Sequence, residues 1–410
     1  MLNRRLLRLA VPVALGALTL TACGSEREET TGGGEGGGAG QTVTIGVIAP
    51  LSGDLSEVGN GIKNGVDLAV KQANEKKTVE GYTFRMQAED DTAKPDVGAQ
   101  VATKLTSDQS VVGVVGPLNS SVGLTVAPVM SQAGVVVISP SNTGVDLTGR
   151  QALVKGGQQQ RPYKTYFRVV ATDDVQGPFG ARYAVNDLKK KSIAVVHDKK
   201  AYGQGLAEAF AGEAKKLGAT VLPTQTVNPG DKDFSGTVTK LRALKPDFLY
   251  YGGEYPEASL LTKQMKAAGL NIPVMGGDGL YSSAYLKGAG AAANGDLATS
   301  LGAPTDTLES AKQFVADYQA AGYKEDKDPY GGYAYDAANA IINAVKQGVE
   351  DGKSGADLRT AVVEGVQNAD FEGVTGQISF DEFGDTKSKV LTVYRVEGGK
   401  FVAATTDEFE

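Results

Sequence analysis

One cysteine and one histidine occur in 410 residues. With Cys23 alone no internal disulfide can form, and with His197 alone neither a His/Cys metal cluster nor a Ser-His-Asp or Cys-His triad can be built. His197 ends an expected strand, Ile193 to Val196, where a hydrogen-bonded loop histidine is the plain reading. Positive charge is also scarce. The formal net charge is −7, and removing the first 22 residues with Arg4, Arg5 and Arg8 takes it to about −10. No basic stripe suited to polyphosphate is present, so nucleic acid is not an expected partner. The apolar run Leu9 to Leu20, broken by Pro12, Gly16 and Thr19, is too short to span a membrane. No Walker loop occurs, because Gln347 stands where the first glycine would precede Gly352-Lys353-Ser354. No G-x-S-x-G elbow and no carboxylate pair in a glycosidase setting stands out either. Binding rather than catalysis is expected, with no metal and no cofactor.

Arg4, Arg5 and Arg8 ahead of the apolar run make a targeting segment. Leu20-Thr21-Ala22-Cys23 has the form of a lipoprotein cleavage box, in which small residues suit the peptidase and the thiol becomes the lipid-bearing N-terminus. The expectation is a signal peptide over 1–22, then lipidated Cys23 and a flexible glycine-rich tether over 23–41. Gly32, Gly34 and Gly37 in that tether match a dinucleotide fingerprint only in spacing, since no strand precedes them. Arg4-Arg5-Leu6-Leu7 carries a faint twin-arginine signature that lacks the usual preceding Ser or Thr.

From Thr42 onward, apolar strands alternate with amphipathic helices. Val111 to Gly134, Ser192 to Gly218 and Asp247 to Gly269 each run strand, polar loop, helix and terminal glycine. The expected fold class is α/β, with parallel sheets covered by helices on both faces. Gly149 to Lys164 is polar and aperiodic and reads as a loop or crossover. Phe167 to Val170 then reads as the start of a second series of units, so two lobes are expected.

The most informative stretch is Val111 to Thr143. Val111 to Val115 is a buried strand ended by Gly116-Pro117, Ser120 or Ser121 caps the following helix, and Val135 to Ser139 is a second strand. Helix amides and serine hydroxyls meet Pro140-Ser141-Asn142-Thr143 at the carboxyl ends of neighbouring strands, which suits a small anion such as a carboxylate. Ser120 as a mere cap is the alternative. Further along, Tyr202, Glu254 and Asp278 follow other strands; a carboxylate would hold an ammonium and the ring would lie on an aliphatic group. Tyr202 as packing, Glu254 as a solvated charge and Asp278 as a turn former remain the competing readings.

IGVIAPLSG (45–53), GPLNSS (116–121), ISPSNT (138–143), Gln176-Gly177, VHDKKAYGQGL (196–206), DKDFS (231–235), FLYYGGEYPE (248–257), Met275 to Gly279 and FDEFGD (380–385) occur in order along the chain. Together they resemble the leucine/isoleucine/valine-binding proteins, the substrate-binding components of branched-chain amino-acid ABC importers. The resemblance implies two Rossmann-like lobes with parallel-sheet cores joined by a three-strand hinge, the type I periplasmic-binding fold. Lobe one is then 42–172 plus 303–390, and lobe two 173–302 plus 391–410. It further implies that Ser120 and Thr143 meet the ligand carboxylate, Asp278 and groups around Ser141 and Asn142 meet the ammonium, and Tyr202 and Tyr330 supply ring contacts. A family tyrosine near the first helix is Val58 here and another is Glu254, while Asn119 replaces half of a disulfide found in some members. Glu254 leaves two options open: selection of a polar or basic amino acid, or replacement of a tyrosine hydroxyl as acceptor. The implied protein is a monomer, anchored by lipid on Cys23 at the extracytoplasmic face of the cell membrane. It binds a branched-chain or small neutral amino acid for ABC permease subunits. A sensor of the same fold, for an amino acid or amide, is the alternative.

Overall fold

The computed structural model describes residues 40–410, so the expected signal peptide, Cys23 and the tether up to residue 39 lie outside the described residues. Period-two burial builds the first sheet. Along β1 (Gln41–Ala49), Val43, Ile45, Val47 and Ala49 enter one apolar cluster and Ile48 the other, as a strand covered on both faces requires. After β1 come α1 (Ser56–Glu75), β2 (Tyr82–Asp90), α2 (Pro95–Ser107), β3 (Val111–Val115), α3 (Ser120–Gln132), β4 (Val136–Ser139), the short α4 (Gln151–Val154) and β5 (Tyr166–Arg168). The five strands are parallel in the order β2-β1-β3-β4-β5. Two sequence expectations change here. Tyr166 to Arg168 pairs with Val137 to Ser139 as the last strand of this sheet, rather than opening a second series. The aperiodic crossover holds a helical turn and is pinned by Arg161, whose guanidinium donates to the carbonyls of Lys164 (3.1 Å) and Tyr166 (2.9 Å).

The chain then builds a second layered unit from α5 (Asp173–Arg182), β6 (Ser192–His197), α6 (Ala201–Lys216), β7 (Thr220–Val221), β8 (Gln225–Thr226), α7 (Ser235–Leu244), β9 (Phe248–Gly252), α8 (Tyr255–Ala267), β10 (Val274–Gly276), α9 (Ser283–Ala289) and β11 (Leu297–Leu301). Phe210 of α6 stacks on Tyr250 of β9 with ring centroids 3.7 Å apart, which seats that helix on the sheet. Beyond β11 the chain returns to the first unit. α10 (Lys312–Ala320), α11 (Gly331–Glu350), α12 (Gly355–Gln367) and the hairpin β12 (Asp370–Gly373) with β13 (Gly376–Ser379) follow, and α11 packs on α1 and β3. A last crossing delivers β14 (Val390–Glu397) to the second sheet antiparallel to β11, and β15 (Lys400–Glu408) to its edge antiparallel to β14. That sheet runs β15-β14-β11-β10-β9-β6-β7, with β8 also beside β6. The architecture is a two-lobed α/β fold joined by three crossing segments.

A buried charge network ties the crossings together. Arg168, at the end of β5 and fully buried, donates to Asp385 Oδ1 at 2.7 Å. Its remaining N–H groups reach the carbonyls of Asn142 (2.9 Å) and Gly144 (2.8 Å) and Thr148 Oγ1 (2.7 Å). Arg150 lies 3.6 Å from Asp385 and pairs with Asp174 of α5 at 2.8 Å. One guanidinium thus fixes both a hinge segment and the loop after β4, because its planar fork can serve several acceptors at once.

Candidate functional site

The carboxyl ends of both sheets face each other across a cleft that encloses a small cavity. Leu55, Val58, Leu118, Asn119, Ser120, Ser141, Pro329 and Tyr330 line it from the first lobe. Tyr202, Glu254, Tyr255, Asp278, Gly279 and Ser282 line it from the second. The lips touch: Tyr255 Oη donates to the Asp54 carbonyl at 2.5 Å, Lys232 pairs with Asp54 at 3.0 Å and Lys287 with Glu57 at 3.2 Å. These contacts close the cleft at its lips.

On the first lobe, α3 begins at Ser120 and Asn119 is its cap residue, with an extended backbone and no side-chain capping bond. Ser120 is therefore not the cap. Its Oγ accepts from the Gly144 amide at 3.1 Å and stays at the cavity wall. Ser141 is there too, its hydroxyl donating to the Leu118 carbonyl at 3.1 Å. Asn142 and Thr143 are not among the lining residues. Both Asn142 amide hydrogens are drawn to the carbonyls of Pro117 (3.0 Å) and Leu118 (2.8 Å), and its Oδ1 accepts from Tyr166, so the side chain is a brace between two loops. Thr143 lies deeper, its carbonyl accepting from the Asp173 amide at 2.9 Å while its own buried hydroxyl has no partner.

On the second lobe, glycines set the geometry. A Cβ on Gly203 would lie 2.2 Å from Asp198 Oδ1, and one on Gly252 would lie 2.0 Å from the Gly203 carbonyl. Bare backbone at both positions lets the start of α6 close onto the end of β9 and carries Tyr202 to the cleft. Tyr202 Oη donates to Asp278 Oδ1 at 2.9 Å and accepts from the Gly279 amide at 3.0 Å. From the opposite lobe Tyr330 Oη donates to Asp278 Oδ2 at 2.7 Å. The two tyrosines expected as ring contacts are thus also the hydrogen-bond donors of the carboxylate. Burial raises the pKa of Asp278, opposed by the bonds from Tyr330 and Tyr202. No lysine or arginine lines the cavity; Glu254 and Asp278 are its charged lining side chains.

Glu254 is neither a solvated loop charge nor an unpaired one. It is buried, with one oxygen accepting from Asn119 Nδ2 across the cleft and the other held by Lys200 Nζ. Lys200 is held in its charged form, burial notwithstanding, by Glu254 and then Asp198. In the sequence Lys200 surfaced only as part of the strand-end run VHDKKAYGQGL, with no role of its own, and Asn119 only as a lost cysteine. Sequence reasoning missed Asp173. This fully buried carboxyl beside Thr143 and Asp278 has its pKa raised well above the ordinary value by burial, and neither oxygen has a partner. Neighbouring Gln176, whose amide is likewise unpartnered, had surfaced only as part of Gln176-Gly177.

A family model described as periplasmic binding protein matches residues 42–400. The Leu/Ile/Val-binding protein BraC3 of Rhizobium johnstonii is 32% identical over 362 residues, covering 88% of this chain and 94% of that one. The leucine-, isoleucine-, valine-, threonine- and alanine-binding protein of Pseudomonas aeruginosa is 32% identical, over 87% of this chain and 90% of its own length. Among solved structures, the branched-chain amino acid transporter substrate-binding protein LivJ of Streptococcus pneumoniae, in complex with isoleucine, superposes with a TM-score of 0.78 at 27% identity. That match covers 90% of this chain and 99% of that one.

Proposed function

This chain belongs to the periplasmic binding protein family, among the branched-chain amino-acid-binding members, and on that premise we propose that it holds a branched-chain or small neutral amino acid in its cleft for delivery to an ABC importer permease. The observation that carries this reading is the separation of chemistry inside one closed cavity. A buried carboxylate without a cation, Asp278, stands opposite a helix N-terminus with Ser120 and no basic side chain. A free α-ammonium and α-carboxylate complement those two ends.

In this reading Ser120, the first amides of α3 and Thr143 take the carboxylate, Thr143 turning its buried hydroxyl toward the ligand. Asp278 and Ser141 take the ammonium. Tyr202 and Tyr330 give ring faces, and Leu55, Val58 and Leu118 an apolar wall. Each oxygen of Asp278 that accepts from a tyrosine retains a second lone pair for the ligand. The pairing of Glu254 with Lys200 removes the free negative charge that a basic side chain would need, which favours neutral ligands. We further infer that Cys23 carries lipid and anchors a monomer at the extracytoplasmic face of the membrane. Two acyl chains give stable anchoring where one does not.

Mass spectrometry of the small molecule released on denaturation, followed by calorimetry with leucine, isoleucine, valine, threonine and alanine, tests the ligand. Absence of binding by all five would overturn it. Loss of uptake of the bound amino acid in cells lacking the protein tests delivery, and release of Cys23→Ala from membranes tests the anchor.

A further inference from the structure

Asn119 contributes one bond to the cleft and leaves one group over. Its partner Glu254 Oε1 is a carboxylate oxygen, which only accepts, so the amide nitrogen must face it and the amide oxygen must face away. That oxygen is buried and has no donor in the protein. Asn119 itself lines the cavity and is only 4% exposed. Glu254 cannot turn to relieve it, because its second oxygen is tied to Lys200. The amide is therefore locked in one orientation by a salt bridge at its back. A buried acceptor of this kind costs free energy until something donates to it.

We propose that Asn119 is a specificity-determining residue, whose free Oδ1 favours a ligand side chain that carries a hydrogen-bond donor close to the α-carbon, a β-hydroxyl in particular. The proposal rests on the amino-acid reading above and narrows it. Asn119 immediately precedes Ser120, which lies at the carboxylate end, so Oδ1 is within reach of a substituent on the ligand's β-carbon rather than the tip of a long chain. The surrounding walls Leu55, Val58 and Leu118 accept a β-methyl group. Threonine presents both groups and valine only methyls, at nearly the same volume. A hydrophobic pocket by itself discriminates poorly against an added hydroxyl, whereas a site built to bond one penalises its absence.

The test uses calorimetry on the wild-type protein with threonine, valine and 2-aminobutyrate, and repeats it with Asn119→Leu, whose fold is checked by thermal melting. Wild type is expected to bind threonine about 5–10-fold more tightly than 2-aminobutyrate, and Asn119→Leu to shift the threonine-to-valine ratio toward valine by a similar factor. Valine binding with no threonine advantage in wild type would overturn the proposal and leave the amino-acid reading intact, Oδ1 then being met by water. A ratio unchanged in Asn119→Leu would overturn it too. Should Asn119→Leu fail to fold, the wild-type comparison decides alone. Failure of every amino acid to bind would instead sink the underlying reading.

Discussion

Tyr330 Oη and Asp278 Oδ2 are 2.7 Å apart across the cleft, the tyrosine at the start of α11 in one lobe and the aspartate just after β10 in the other. Tyr202 holds the second carboxylate oxygen from within the aspartate's own lobe. The Asp278 carboxylate is thus held from both lobes at once, one oxygen by each tyrosine.

Binding should depend on pH through this group. Burial raises the pKa of Asp278, so the protein without an amino acid should hold this proton to higher pH than a complex, where an ammonium would favour the ionised form. Affinity should therefore rise with pH until the free protein's own titration is passed, and fall on acidification. Calorimetry across pH 4.5 to 8 in buffers of different ionisation enthalpy would register the proton released. Asp278→Asn should abolish this dependence.

At neutral pH the same Asp278→Asn change should weaken every amino acid together, by about 3–5 kcal/mol, the range for losing one member of a buried charge pair. Unequal losses across leucine, valine and alanine would argue that Asp278 meets side chains rather than the common ammonium.

Ser120→Ala should lower affinity by roughly 1.5–3 kcal/mol if the hydroxyl bonds a carboxylate. The lost bond from the Gly144 amide should register separately, as a small drop in melting temperature without ligand. A stability change with undiminished affinity would reduce Ser120 to a loop anchor.

Arg168 should matter more to folding than to contact with ligand. Arg168→Met removes the guanidinium bonded to Asp385 Oδ1 and to the carbonyls of Asn142 and Gly144, leaving Asp385 with Thr148 and the more distant Arg150, and breaking a buried pair costs about 3–5 kcal/mol. Denaturant unfolding should show that loss, and adding Asp385→Leu should restore part of it. No recovery in the double variant would shift the weight to the carbonyl contacts.

Asp91 offers a stability test away from the cleft. Burial raises its pKa to about 7, against the single backbone bond from Ala93. The folded state then binds the proton that the unfolded chain releases near pH 4, so this group's contribution falls as pH rises from about 4 to 7 and is flat above. Between pH 4 and pH 8 Asp91→Asn should gain roughly 2–4 kcal/mol of stability relative to wild type. Parallel stability profiles for the two proteins would refute the assignment.

Much of the α/β pattern is legible because it is local. Val111 to Val115 is apolar throughout and is a strand buried on both faces, while Val122, Val126 and Met130 recur at helical spacing and pack together. Gly134 stops that helix in a left-handed conformation at φ 65°, as a terminal glycine should. Boundaries that depend on partners were less legible. Tyr166 to Arg168 is too short to announce which sheet it joins, and its membership follows from pairing with β4. The cap at α3 shifted by one residue because Asn119 and Ser120 are both good caps, and the choice between them is made by Glu254 and Gly144.

By itself, then, the sequence determined the layered fold, the placing of Ser120, Ser141 and Asp278 at strand ends, and the absence of triad and His/Cys metal chemistry. These follow from residue type and spacing within a few turns of chain. Only the tertiary structure decided that Asn142 braces a loop, that Tyr202 and Tyr330 share one carboxylate, and that Glu254 is neutralised by Lys200 and bonded to Asn119, 135 residues away in sequence. Burial and charge pairing are properties of neighbours in space. A carboxylate reads identically in a sequence whether water or an ammonium stands beside it.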